Sequence, residues 1–150
     1  MKSKLFSNTY RTESLRLKEY DYSNAGAYFV TICTLEMKKM LGVVNNGKFS
    51  GNEFSEIAIN KWNDLGNHYF NCIPDIFVVM PNHIHGIIRI MYPASITSMR
   101  NNIPKTGLMA VSTEMSTRKH PLSEMVRAFK TFSTKEINQR LGTPGKSFWQ

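Results

Sequence analysis

At 150 residues, 41% of them hydrophobic, the chain is long enough for one domain with a real core and too short for two. No apolar run approaches the roughly 20 residues that cross a bilayer, and the basic start Met1-Lys2-Ser3-Lys4 leads into no apolar segment, so neither a membrane span nor a secretory leader is expected and the location reads as cytoplasmic. The formal charge of +8 is lopsided: residues 1–75 carry nine Lys/Arg against eight Asp/Glu, residues 76–150 carry ten against three, and the second half therefore favours a polyanionic partner.

Residues 1–24 read as an N-terminal arm in which Arg16 and Lys18 precede Tyr20 and Tyr22. Basic residues interleaved with aromatics suit unpaired nucleic-acid bases, and equally suit an arm packed on the sheet. Ala25 to Thr34, aromatic and β-branched, predicts a central strand. Cys33 within it reads as a buried free thiol, because Cys33 and Cys72 are too few and too far apart for a zinc ribbon or a disulfide framework. Met40 to Val44 predicts a second strand, Asn45-Asn46-Gly47 a hairpin turn and Lys48-Phe49 the return. Ser50-Gly51-Asn52-Glu53 has the spacing of a capping box, and Phe54, Ile57, Ala58, Trp62, Leu65 and Tyr69 recur at helical intervals. One amphipathic helix to about Tyr69 follows, with Trp62 in the core.

Ile76 to Met80 and His83 to Met91 predict two strands joined at Pro81-Asn82. The segment 92–120 is broken by Pro, Gly, Ser, Thr and Asn and reads as a flexible loop. A last helix starts near Pro121 with Leu122, Met125, Val126, Phe129 and Phe132 as its apolar stripe, and Ser133-Thr134-Lys135-Glu136 allows a second cap and a kink. Leu141 to Gly145 ends it, and Lys146 to Gln150 opens a strand. This order predicts a single α+β domain, a ferredoxin-like plait whose antiparallel sheet has its helices on one face and the other face free.

His83 and His85 stand one residue apart in the apolar run Ile76 to Ile90. Side chains alternate along a strand, so both imidazoles face the same side while Ile84 faces the core. Such a pair offers two nitrogen ligands to a metal ion, although two surface histidines would show the same spacing. Arg127 and Lys130 lie three apart on the last helix, where they reach phosphates along one face or form a solvated face. Asn82 orients His83, contacts a phosphate, or makes the turn.

Val79-Met80-Pro81-Asn82-His83-Ile84-His85-Gly86 resembles the His-hydrophobic-His signature of the IS200/IS605-like Y1 transposases, and within them the REP-associated tyrosine transposases. Arg16-Leu17-Lys18-Glu19-Tyr20-Asp21-Tyr22, Gly26-Ala27-Tyr28-Phe29-Val30-Thr31-Ile32-Cys33-Thr34, Phe129-Lys130-Thr131-Phe132-Ser133-Thr134-Lys135-Glu136-Ile137-Asn138 and Phe148-Trp149-Gln150 extend the resemblance from about Tyr10 to the end of the chain. It implies DNA transposition through metal-dependent cleavage and strand transfer of single-stranded or hairpin DNA. His83 and His85 would bind Mg2+ or Mn2+, with Arg16, Lys18, Asn82, Arg127 and Lys130 as the DNA contacts weighed above and a homodimer as the assembly. In such enzymes a tyrosine oxygen attacks the phosphorus, the bond to the 3′ oxygen breaks, and a 5′-phosphotyrosine and a free 3′-hydroxyl result. The resemblance puts that tyrosine and a further metal ligand on a helix beyond Gln150, so the domain is expected to be incomplete at its C-terminus and inactive by itself. A non-catalytic module that binds single-stranded or hairpin DNA, derived from such an enzyme, is the alternative.

Overall fold

The structure, a computed structural model, describes residues 16–91 and 118–150, together with the backbone of two short paired strands, β1 (Leu5–Phe6) and β2 (Tyr10–Arg11). Residues 92–117, most of the expected loop, lie outside the described part. The main sheet contains β3 (Gly26–Cys33), β6 (Cys72–Met80) and β7 (His83–Ile90) in the order β3-β7-β6, all antiparallel. An isolated antiparallel bridge between Thr34 and Trp149 adds the C-terminal segment outside β3. The spatial order is thus last, first, third, second, which is that of the α+β ferredoxin-like plait, with the last strand reduced to one bridge. Two hydrogen bonds make this bridge, the Phe148 carbonyl accepting from the Leu35 amide at 2.8 Å and the Cys33 carbonyl from the Gln150 amide at 2.9 Å.

β4 (Gly42–Asn45) and β5 (Lys48–Gly51) form a separate hairpin. Asn46 and Gly47 both hold positive φ, 49° and 75°, as a two-residue turn matched to strand twist requires. Ser50 and Gly51, expected to start the next helix, belong instead to β5. Asn52 is the cap: its Oδ1 accepts from the Phe54 and Ser55 amides at 3.1 and 3.2 Å, and no capping box forms. The helix expected to reach Tyr69 is two pieces, α1 (Glu53–Asn63) and α2 (Leu65–His68), meeting at Asp64. β6 begins four residues earlier than its apolar run, because a bulge between Pro74 and Phe77 lets Pro74 sit in the strand without donating to the ladder.

The last helix, α3 (Leu122–Leu141), runs 20 residues without the kink allowed at Ser133. Ser133 does not recap the chain, since its hydroxyl donates to the Phe129 carbonyl one turn back at 2.6 Å. The same oxygen accepts from the Trp149 indole at 2.9 Å, tying the C-terminal segment to the helix. Phe132 is not part of the buried stripe: it is 43% exposed and stacks on His68, while Ile137 is buried further along. Gly142, at φ 64°, closes the helix in the left-handed region.

Helices α1 and α3 pack together on one face of the sheet. β7 shows the division most plainly: Ile84, Gly86, Ile88 and Ile90 are buried, and His83, His85, Ile87 and Arg89 alternate with them on the other face. Cys72 is buried in the core, and burial pushes its thiol up to about 12, which makes it inert at neutral pH.

Trp62 joins all these elements. It is fully buried, with ring centroids 4.8 Å from Phe77 of β6 and 5.7 Å from Phe129 of α3. Its six-membered ring lies on Gly86, where a Cβ would come within 2.4 Å of the indole. Neither the indole nor the strand has room to retreat. Gly86→Ala is therefore expected to destabilise the domain by about 1–3 kcal/mol, as overpacking does. Urea denaturation measures it, and an unchanged midpoint would mean that Trp62 is held elsewhere.

Candidate metal and nucleic-acid site

The histidine pair sits where a short turn meets the open sheet face. Met80 pairs with His83, leaving only Pro81 and Asn82 to turn the chain. That turn is pinned from behind: the Asn82 carbonyl accepts from the Thr34 amide at 3.0 Å and from the buried Thr34 hydroxyl at 2.9 Å, and the Pro81 carbonyl accepts from the Leu41 amide.

The two imidazoles face the same side, with ring centroids 4.7 Å apart and planes at 74°. His83 Nδ1 lies 2.8 Å from Asn82 Oδ1. An amide oxygen only accepts, so His83 Nδ1 carries the proton and Nε2 keeps its lone pair. Of the roles open to Asn82 in the sequence, the geometry gives it the turn and the orientation of His83. His85 Nδ1 lies 2.8 Å from Thr31 Oγ1, and its ring stacks on Phe29 at 5.2 Å and 26°. Burial first, and the neighbouring His85 second, lower the His83 pKa from its ordinary value. Around neutral pH His83 is the uncharged imidazole that a metal requires.

Register adds neighbours that spacing alone did not disclose. Thr31 stands opposite His85 and Cys33 opposite His83 on β3, with Val78 and Met80 opposite them on β6. Cys33 is therefore not in the core as expected: it is half-buried on the open face, one strand from His83. Around the histidines this face is largely apolar and open, with Phe29 67% and Ile76 63% exposed, and at its far end Arg89 pairs with Asp75 at 3.0 Å. Among the described residues no three His, Cys, Asp or Glu side chains come together as a metal cluster. At this face the described residues therefore bring together the two imidazoles of His83 and His85 and no third such side chain. The other histidines are engaged elsewhere, His68 with Asp64 at 2.9 Å and His120 with Glu124 at 3.2 Å.

The expected nucleic-acid contacts divide into two places. Asn82 is at the histidines, while Arg16, Arg127 and Lys130 line a groove of about 1120 Å³ along α3 and the C-terminal segment. Lys18 is exposed and outside both. Tyr20, Tyr22 and Tyr28 pack on one another, with Tyr20 and Tyr22 rings 5.0 Å apart. Tyr22 also receives the Leu17 amide on its hydroxyl and the Leu122 amide on its carbonyl, which docks residues 16–24 against the start of α3. Lys135 and Lys146 join the groove too. Residue spacing pointed to neither, because Lys146 comes from beyond the helix.

No protein-family model matches the chain. It is similar to an uncharacterized protein of Haemophilus influenzae, 33% identical over 91 residues. That match covers 61% of this chain, and the chain spans about half, 51%, of the relative's length. Among the described residues no helix is long and apolar enough to cross a membrane.

Proton titration offers a direct check of the site. The folded protein binds a proton at His83 less readily than the unfolded chain does. This histidine's contribution is therefore complete above the unfolded value of about 6.5 and is lost as pH falls through the lower folded value. NMR titration should give a His83 midpoint below that of a free imidazole. Asn82→Ala should convert His83 from one tautomer to a mixture, visible in its ring nitrogen shifts. A single unchanged tautomer in that variant would remove Asn82 from the site.

Proposed function

We propose that the histidine face is the metal-binding site of a transposase-type enzyme that cleaves and rejoins single-stranded or hairpin DNA. One observation carries the reading: two imidazoles on one face of β7, one of them held by Asn82 with its Nε2 free. The resemblance to IS200/IS605-like Y1 transposases supplies the reaction class, and the charge of residues 76–150 suits a phosphodiester partner. A bound Mg2+ or Mn2+ would polarise the scissile phosphate. The chain's own part is to hold His83 through Asn82 and His85 through Thr31, to cover His85 with Phe29, and to present the substrate on an open sheet face. The proposal includes a cytoplasmic location and a homodimer, both drawn from the resemblance.

The alternative is a module that binds such DNA without cutting it. The observation in its favour is that among the described residues no third His, Cys, Asp or Glu completes a cluster with the pair. Among the described residues no tyrosine stands at the histidines either: Tyr20, Tyr22 and Tyr28 form their own cluster, and Tyr69 lies beside His120.

Labelled hairpin-bearing single-stranded DNA, incubated with manganese and the protein in its full genomic length, decides between them on a denaturing gel. The expected result is a protein-linked DNA band that His83→Ala/His85→Ala reduces by about a hundredfold or more, with DNA binding retained. Binding without any covalent band would establish the module instead. A band unaffected by the double substitution would overturn the histidine site.

A further inference from the structure

The groove along α3 is lined by five cations, Arg16, Arg127, Lys130, Lys135 and Lys146, and by no Asp or Glu side chain. Among the described residues Arg127, Lys135 and Lys146 enter no ion pair; the nearby Glu136 is taken by Lys61 at 2.8 Å and Glu124 by His120 and Arg118. Lys130 donates to the main-chain oxygen of Gln150. Like charges gathered in a concave surface repel one another, and the arrangement is relieved by an anion with several charges in a row.

The groove also leads to the histidines. Gln150 in its lining is hydrogen-bonded to Cys33, whose carbonyl accepts the Gln150 amide at 2.9 Å, and Cys33 stands opposite His83. Gln150 is thus two strand spacings, about 10 Å, from the histidine pair. We infer that this groove is a second binding site, for successive phosphates of a single DNA strand, and that it guides the strand over the edge of β3 to the histidine face. Lys135 and Lys146 are its anchors together with Arg127. The inference rests on the proposed DNA-binding role and adds where the strand runs.

The test uses fluorescence anisotropy of a labelled oligothymidine with metal chelated, so that the groove is read without the histidines. Lys135→Gln/Lys146→Gln is compared with Lys39→Gln/Lys48→Gln, which removes the same charge from exposed positions outside the groove. The groove pair should weaken binding at least tenfold and lower the salt slope by about 1.4, roughly 0.7 for each single-strand phosphate that is no longer neutralised. The outer pair should stay within twofold of wild type.

Equal loss in both pairs would mean diffuse attraction and overturn the inference. Unchanged affinity in the groove pair accompanied by a shifted thermal midpoint would mean that polypeptide fills the groove, and would overturn it as well. His83→Ala/His85→Ala separates the two proposals, because it should bind the oligothymidine within twofold of wild type while losing cleavage. If that variant loses cleavage and the groove pair binds normally, the groove fails and the histidine reading stands. If wild type binds no oligothymidine, the groove fails, and the hairpin cleavage assay alone decides the histidine reading.

Discussion

The contact of Trp62 with Gly86 sets the depth and the facing of the whole domain. The indole reaches from α1 through the core and rests on the backbone of β7, with Phe77 and Phe129 closing around it. A side chain at position 86 would hold the helix layer away from the sheet, and a one-residue slip of β7 would turn the histidines inward. The absent side chain next to His85 on the buried face is therefore what lets β7 present His83 and His85 outward. The core and the candidate site are two sides of one strand.

What the outward face can do follows from the partners of its two rings. Asn82 fixes the proton of His83 on Nδ1, and the turn carrying Asn82 is itself fixed by Thr34, whose neighbour Cys33 pairs with His83. Such a chain of supports is how proteins orient imidazole ligands. Two imidazole nitrogens suit borderline ions better than Mg2+, which prefers oxygen, so Mn2+ is the more natural probe of the pair. Phe29 and Ile76 offer a ring and methyl groups to whatever covers the face, and the charge of Arg89 on it is taken up by Asp75. Charge is concentrated instead in the groove beside α3, at the level of His83 but across the edge of the sheet.

Much of the plait was legible in the residues because it rests on periodicity. The alternation around Ile84 placed the histidines on one face, and the stripe from Phe54 to Tyr69 placed Trp62 in the core, as the structure has them. The misreadings have local causes. Pro74 concealed the start of β6 because a bulge accommodates it, and Ser133 suggested a cap because its long-range partner, Trp149, is not visible from spacing. Cys33 looked like core until the pairing with His83 put it on the other face. Thr31 and Phe29 as supports of His85, and Lys135 and Lys146 in the groove, depend on strand register and on the path after α3. One sequence carries no direct record of either.

In the proposed site His83 and His85 together would hold a divalent ion on the open face of β7. Paramagnetic broadening by Mn2+ tests it most directly, since line widths in an NMR spectrum report the distance of each proton from the ion. Substoichiometric Mn2+ should broaden the ring protons of His83 and His85 first, then those of Phe29 and Thr31, and leave Ile84 and Ile88 behind the strand sharper. Broadening that is strongest at His68 and Asp64, or spread evenly over surface carboxylates with the histidine pair untouched, would contradict the account.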